Sequence, residues 1–404
     1  MKALFMGMGY IGLPTAAVAA GHGVEVVGVD VNATVVDTIN KGQIHIVEPG
    51  LERLVKEVVD KGLLRASLVP EASDAFFIVV PTPFKNNRRA DISYVESATR
   101  AVIPYLKEGN LFIIESTSPV TTTEKMAALI FRQRPELKDK IYIAYCPERV
   151  LPGDVLRELV ENDRVIGGIN AESTQKASDF YKLFVKGNLH PTNARTAEMC
   201  KLTENSSRDT QIAFANELSM ICDKAGIDVW ELIDLANKHP RVNILQPGCG
   251  VGGHCIAVDP WFIVSDFPEQ AQVIKRVRET NDYKSDWCAN KVLDSCKEFV
   301  KNNDRKPVVA CMGLAFKPNI DDLRESPAKY IASRIISEGD VDVLVVEPNV
   351  KEHKSFHLSN YQAAYRESDI VVWLVKHKEF FSIELDPSKL ELDFCGVRKR
   401  SGNV

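Results

Sequence analysis

The amino-terminal stretch MKALFMGMGYIGLPTAAVAAGHGVEVVGVD, residues 1–30, decides the fold class. A short apolar strand over 3–6 runs into Gly7-Met8-Gly9-Tyr10-Ile11-Gly12. A helix-compatible run of small residues follows over 15–20, and a second apolar strand over 24–29 ends on Asp30. Strand, GxGxxG, helix, strand and acid, in that order, is what a dinucleotide-binding βαβ unit requires. Gly7 permits the tight turn, Gly9 lets backbone approach a pyrophosphate, and Gly12 allows close packing of helix on sheet, with the helix N-terminus facing the phosphates. Asp30 is placed to accept hydrogen bonds from the adenosine ribose hydroxyls. A carboxylate there repels a 2′-phosphate, so the expected cofactor is NAD rather than NADP.

Outward from this unit, apolar strands over 75–80, 111–114 and 141–144 alternate with segments of helical period over 94–106 and 123–131, the pattern of a parallel, doubly wound sheet. Strand ends carry PTP (81–83), STSP (116–119) and CPER (146–149), where ligands of such sheets bind. After Asn193 the strands stop: Met199, Leu202, Ile212, Leu218 and Ile221 recur at helical intervals, and a second helical block is expected from about 269 to 300. Strands return in PVVACMGLAFKP, VDVLVVEPN and DIVVWLV. The expected fold is therefore α/β, with two doubly wound Rossmann-like domains, 1–192 and 303–404, joined by a helical connector, 193–302.

A length of 404 residues suits two or three domains, and 45% hydrophobic with 26% charged residues is ordinary for a globular protein. A net charge of −5 leaves no basic excess to hold nucleic acid or an anionic membrane by bulk charge. The nine cysteines are odd in number and lack any CxxC pair, which argues against a disulfide framework or zinc ribbon and for a reducing compartment. The chain opens without a charged leader and cleavage site, and no apolar run approaches the ~20 residues of a membrane helix, so a cytoplasmic location is expected.

Chemistry concentrates in NILQPGCGVGGHCIAVDPWF, residues 243–262, where Gly248, Gly250, Gly252 and Gly253 precede Cys255. Glycine backbone can approach a ligand closely and turn N–H groups toward anionic oxygens. If residues 256–259 begin a helix, Cys255 and Asp259 share one face. A carboxylate by itself raises a thiol pKa, so a positive partner is needed. Lys201 in CKLTEN is the candidate, with Asn205 one turn on; the bland alternative for both is a solvated helix face. Most of the cysteines are expected in the core. Cys249, His254 and Cys255 lack paired-ligand spacing, and no metal is expected. The second sheet has no glycine fingerprint. Gly313-Leu314-Ala315-Phe316-Lys317 instead sets an aromatic and a lysine after the strand, suiting a nucleotide held differently from NAD, or else an ordinary exposed lysine.

With GMGYIGLP, STSPV, CPERVLPG, CKLTENS, GVGGHCIAVDP and GLAFKPNIDDLRESP in this order along nearly the whole chain, the sequence resembles the nucleotide-sugar 6-dehydrogenases. The resemblance implies a four-electron oxidation of a sugar C6 alcohol to a carboxylate, with two NAD and one water. It makes Cys255 the nucleophile, which fits the capacity of a thiolate to add to an aldehyde. Lys201 is implied to stabilise oxyanion charge or shuttle a proton, Asn205 to hold that oxygen, Asp259 to orient Lys201 or water, and Glu148 to activate the hydrolytic water. Tyr10, Ile11, Asp30, Thr82, Thr117 and Arg324 match NAD contacts. Arg149, Val150, Lys201, Asn205, Arg208, His239, Arg241, Gly252, Phe316 and Lys317 match nucleotide-sugar contacts. By the same resemblance, residues 1–192 bind NAD, 193–302 carry dimerisation, the catalytic helix and the cysteine loop, and 303–404 bind the UDP-sugar. A homodimer is implied, with Arg241 serving a neighbouring subunit. Among sugars, similarity of motif ranks N-acetylmannosamine first, then N-acetylglucosamine and glucose. Two departures stand out: Cys395 falls where the family tends to place a basic substrate contact, so that either Arg398 or Lys399 compensates or the contact is absent, and Cys249 stands where proline is common in relatives.

Two rivals share parts of the pattern. A two-electron 3-hydroxyacid dehydrogenase has the glycine turn and a lysine-asparagine helix but needs no thiol. A non-catalytic nucleotide-sugar sensor has no use for the joint set Glu148, Lys201, Asn205, Cys255 and Asp259.

Overall fold

The computed structural model describes residues 1–85, 88–150 and 153–398. The chain divides into two compact units, 1–204 and 205–404.

In the first unit, strands β1 (Lys2–Met6), β2 (Glu25–Val29), β3 (Leu64–Ser67), β4 (Ala75–Ile78), β7 (Leu111–Ile114), β8 (Tyr142–Tyr145), β9 (Arg164–Gly168) and β10 (Leu189–Asn193) form one sheet; β5 (Phe84–Lys85) and β6 (Arg89–Ala90) make a small hairpin. The order is β10-β9-β8-β7-β4-β1-β2-β3. From β3 to β8 all neighbours are parallel, and only the β8–β9 pair is antiparallel. The inner strands β4, β7 and β8, and β1 and β2 past their first residue, read as largely apolar runs because both faces are covered. Ala3 and Phe5 point into one core, where Phe5 stacks on Phe77 at 4.4 Å, while Leu4 and Met6 point into the other with Phe76 and Ile78. The switch of direction falls at β1/β4, so the glycine turn and the PTP segment sit together at the strand ends where such sheets bind ligands.

Departures from the sequence expectation concern edges and ends. The helix expected over 94–106 is Ser93–Val102, followed by a 3-10 turn at Ile103–Tyr105, because Pro104 lacks the N–H that would continue it. Strands β3, β9 and β10 carry glycine, proline or alternating exposed residues and give no apolar run.

The second unit holds the four-stranded parallel sheet β12-β11-β13-β14, built from β11 (Val308–Met312), β12 (Asp342–Val346), β13 (Ile370–Trp373) and β14 (Leu390–Asp393). Its faces also alternate: Val309 and Cys311 on one side, Ala310 and Met312 on the other. Helices Val229–Ala236, Asp259–Asp266 and Gln272–Asn303 precede it, and the long helix Ala194–Ala225 carries Lys201 and Asn205 one turn apart. Among the described residues no helix is long and apolar enough to cross a membrane.

Candidate active site

The first glycine turn is shaped by three different demands. Gly7 has φ +98°, where a side chain would run into the Val79 carbonyl, and a Cβ on Gly12 would strike the Gly7 carbonyl. A Cβ on Gly9 would meet nothing within 4 Å, so this is the open side. The helix Gly12–Gly21 starts at Ile11 without a side-chain cap, leaving its first N–H groups for an anion. Asp30 Oδ2 accepts the Met8 N–H at 3.0 Å and Oδ1 the Asn32 N–H at 2.9 Å. Its half-exposed carboxylate keeps acceptor capacity for ribose hydroxyls. Thr82 and Thr117 are half-buried on neighbouring loops that Ser116 ties together, its Oγ accepting the Val80 N–H at 2.9 Å. These residues fit a dinucleotide.

At the end of β8, Glu148 is buried, and each of its oxygens is held: Oε1 by the Arg149 N–H at 2.7 Å and Oε2 by Arg164 Nη2 at 2.9 Å. Arg164 is itself buried, reaches Cys146 Sγ at 3.7 Å and lies over the Tyr181 ring. The Tyr181 hydroxyl donates to Glu115 Oε1 at 2.6 Å, whereas Glu115 Oε2 is buried without a partner. Burial pushes the Glu115 carboxyl up to about 7 and the Cys146 thiol up to about 11, so Cys146 is no nucleophile at neutral pH. Lys201 Nζ donates to the Glu148 carbonyl at 2.7 Å. Arg149 pairs with Glu204 at 2.9 Å, and Val150 packs against the first core. Deeper in this unit, the buried Glu198 of the long helix accepts the Thr121 and Thr123 N–H groups at 2.6 and 2.7 Å and fixes the end of the STSPV loop.

In the second unit Cys255 is half-buried at the head of a turn, not of a helix: the helix begins at Asp259. The correction is local. The Asp259 N–H still donates to the Cys255 carbonyl at 2.8 Å, but Pro260 in the first helical turn has no N–H to extend the pattern backward. Asp259 is buried and accepts the Asn205 amide. The structure thus pairs Asn205 with Asp259 in one unit and Lys201 with the Glu148 main chain in the other.

The glycines ahead of Cys255 meet mainly the protein itself. A Cβ on Gly250 would press on Ser285 and Asn281, and one on Gly252 would lie 2.6 Å from the Glu325 carbonyl and 2.7 Å from Phe316 Cβ. Gly253, at φ +79°, faces the Phe316 ring at 3.0 Å, and its N–H bonds to the Arg324 carbonyl. Gly248 alone of the four has open space. Asn216 anchors the loop: its Oδ1 accepts the Gly248 N–H at 2.9 Å, and its Nδ2 donates to Asn281 Oδ1 at 2.8 Å. Cys249 is buried and donates to the Leu374 carbonyl; the Cys288 thiol and burial push it well above the ordinary range.

Arg208, His239, Arg241 and Lys317 are exposed, Phe316 is half-buried, and Arg324 folds onto Asp322. Arg398, a candidate for the basic contact near Cys395, is turned toward the protein. Its guanidinium is committed to Glu391 at 2.8 Å and the Ile383 carbonyl at 2.9 Å, over the Trp373 ring; Lys399 lies outside the described residues. Among the described residues no group of three or more His, Cys, Asp or Glu side chains is placed to hold a metal ion. Sequence patterns did not point to Arg164, Glu198, Asn216 or Asn281. Glu347 had a signal, an acid closing the second strand of its sheet as Asp30 does in the first.

A dinucleotide turn on a doubly wound sheet, followed by a helix bearing lysine and asparagine and by a thiol loop, defines an NAD-dependent oxidoreductase. The chain belongs to the UDP-glucose/GDP-mannose dehydrogenase family: residues 1–185 match its NAD binding domain, 195–283 its central domain and 310–394 its UDP binding domain. It is 54% identical to a UDP-N-acetyl-D-mannosamine dehydrogenase of Campylobacter jejuni, over 95% of this chain and 97% of that protein. It is 53% identical to an NDP-N-acetyl-D-galactosaminuronic acid dehydrogenase of Ralstonia nicotianae, over 97% and 95%. A solved UDP-D-ManNAc dehydrogenase from Pyrococcus horikoshii is similar in structure, with TM-score 0.89, 37% identity and coverage of 98% of this chain and 96% of that one.

Proposed function

We propose that the protein oxidises the C6 hydroxyl of UDP-N-acetyl-D-mannosamine to the carboxylate, giving UDP-N-acetyl-D-mannosaminuronate with two NADH and one water consumed. The observation that carries this is the half-buried Cys255 on a turn closed by Asp259, whose carboxylate holds Asn205. Residues 1–192 serve NAD, 193–302 the chemistry and dimerisation, and 303–404 the UDP-sugar. NAD is held by Gly7, Gly9, Tyr10, Ile11, Gly12 and Asp30, with Thr82, Thr117 and Arg324, and when bound supplies the electron acceptor for both oxidations. Arg149, Val150, Arg208, His239, Gly252, Phe316 and Lys317 hold the sugar nucleotide.

Lys201 and Asn205 hold the C6 oxygen, and Lys201 carries its proton away as the alcohol becomes the aldehyde. The Cys255 thiolate then adds to the aldehyde carbon, and the oxygen of the resulting thiohemiacetal is held by the same pair while it is oxidised to a thioester. Glu148 takes a proton from water as that water adds to the thioester carbonyl; the C–S bond breaks, the thiolate returns and the acid leaves. Asp259 fixes the Asn205 amide, and Arg164 keeps the Glu148 carboxylate aimed through its hydrogen bond to Oε2.

A second substrate is supported by the Ralstonia nicotianae relative, an NDP-N-acetyl-D-galactosaminuronic acid dehydrogenase at nearly the same identity. NADH formation across UDP-N-acetylmannosamine, UDP-N-acetylgalactosamine, UDP-N-acetylglucosamine and UDP-glucose separates these. Two NADH per N-acetylmannosamine substrate is expected. One NADH per sugar would break the thioester route, and faster turnover of another sugar would reassign the substrate.

A homodimer is supported by exposed Phe214, Ile221 and Tyr283 on the two long helices, beside an open groove of about 430 Å³ lined by Met220, Ile221, Tyr283 and Trp287. The exposed Arg241 is then available to a partner's site. Nine free thiols support a cytoplasmic location.

A further inference from the structure

The segment that carries Phe316 and Lys317 is gripped at both ends by two buried residues that touch neither nucleotide nor sugar in the scheme above. Glu347, 4% exposed at the end of β12, accepts the Leu314 and Ala315 N–H groups on Oε2, both at 2.8 Å. The same oxygen takes a hydrogen bond from His377 Nε2 at 3.1 Å, and Oε1 accepts the Asn349 N–H at 3.0 Å. His377, in the turn after β13, is fully buried. Its Nδ1 accepts the Asn319 N–H at 3.0 Å and the Asn349 amide at 3.0 Å, which places the ring proton on Nε2, facing Glu347. The Asn319 side chain returns the contact by accepting the Lys378 N–H at 3.0 Å. Between these grips stand Phe316, Lys317 and Pro318, at the β11/β13 switch of the sheet. Phe316 in turn packs on Gly252 and Gly253, just ahead of Cys255.

We infer that Glu347 and His377 are positioning residues for the sugar nucleotide: they hold the 313–319 loop so that Phe316 and Lys317 meet the UDP moiety in a fixed place. The inference rests on the assignment of Phe316 and Lys317 to the UDP-sugar. The chemistry of the pair is specific. Each group described above as bonded to Glu347 is a donor, so only an ionised carboxylate satisfies them, and an amide in its place turns N–H groups against N–H groups. Burial alone would raise the Glu347 pKa, but hydrogen bonds from His377, Asn349 and Leu314 outweigh it and hold the group below its ordinary value.

The test uses the full-length enzyme with Glu347→Gln, Glu347→Asp, His377→Gln and Lys317→Ala, measuring UDP and NAD affinity by calorimetry and both KM values. His377→Gln keeps a donor toward Glu347 while withdrawing the acceptor from Asn319, so it decides the matter should Glu347→Gln fail to fold. The expected result is a loss of UDP affinity of about tenfold in Glu347→Gln and His377→Gln, partial recovery in Glu347→Asp, and NAD affinity within about twofold of the parent. Equal weakening of UDP and NAD would reduce the pair to general scaffolding and overturn the inference. Unchanged UDP affinity in His377→Gln beside a loss in Lys317→Ala would overturn the inference alone. Unchanged UDP affinity in Lys317→Ala would remove the assignment on which it rests, and the inference with it.

Discussion

The two sheets begin with the same device and use it differently. In each, the first strand runs into a glycine in the left-handed region, Gly7 at φ +98° and Gly313 at φ +100°. In each, the neighbouring strand ends on an acid that accepts the next N–H groups: Asp30 takes Met8 at 3.0 Å, and Glu347 takes Leu314 and Ala315 at 2.8 Å. Beyond that the two diverge. Around Asp30 the chain turns at once into a helix, Gly9 leaves an open side, and the carboxylate stays half-exposed with acceptor sites to spare. Around Glu347 the helix waits until Pro327, and His377 and Asn349 take up what acceptor capacity remains. An acid with free lone pairs at the surface can recognise hydroxyls. The same acid buried and saturated can only hold backbone, and the ligand-facing role passes to the side chains of the loop it holds.

The largest effect that sharpens this contrast is expected at the thiol loop backed by Phe316. Cys255→Ser should lower turnover by about a thousandfold or more while NAD binding at the first turn is unchanged by calorimetry. Where serine does react, an ester more resistant to water should accumulate and appear in intact-protein mass. Cys146→Ser and Cys249→Ser should retain activity, since both thiols are buried and pushed upward in pKa. Full two-NADH turnover by Cys255→Ser would leave the second unit's loop with binding alone. The next effect is on cofactor choice. Asp30→Ser should narrow the preference for NAD over NADP by about tenfold or more, measured as the ratio of kcat/KM values, whereas Glu347→Asp should leave that ratio alone. A parent enzyme indifferent to the 2′-phosphate would break the assignment of Asp30.

The smallest effect contrasts two buried acids. Glu115, with one orphaned oxygen, is pushed up to about 7, against about 4.3 in an unfolded chain. Between those values the folded protein holds a proton that the unfolded chain has released, so this group makes stability fall as pH rises through the window. Glu347, held low by donors, acts with the opposite sign and loses its contribution as pH falls below the ordinary carboxyl range. Urea denaturation of Glu115→Gln between pH 5 and 7, values chosen inside that window, should show a flatter decline than the parent, by at most about 1.4 kcal/mol per pH unit. An unaltered slope would remove Glu115 as its source.

Much of the architecture is legible in the chain because strands buried on both faces must be apolar along their buried length, as β4, β7, β11 and β13 are, and β1 and β2 past Lys2 and Glu25. In the two larger sheets the strands that go unseen, β3, β9, β10 and β14, lie at or next to sheet edges and mix exposed or glycine positions into short runs. A candidate site residue announces itself where a rare type stands beside glycines, as at Cys255, whereas Glu148 enters only through the resemblance of the CPER motif. Arg164 does neither. It is one arginine among many, and only its burial against Glu148 gives it a role. The four glycines before Cys255 were legible as a demand for close approach, but not that Phe316, Pro327 and Ser285 would be among the approaching groups.

The sequence by itself therefore determined what is local: where backbone must take a positive φ, where apolar runs need two covered faces, and where a thiol and an acid fall one turn apart. Only the tertiary structure decided which acid stays open to a ligand and which is enclosed. That depends on groups brought in from other loops, such as His377, which lies 30 residues beyond Glu347. Burial and hydrogen-bond saturation are properties of the assembled neighbourhood, and no periodicity along the chain records them.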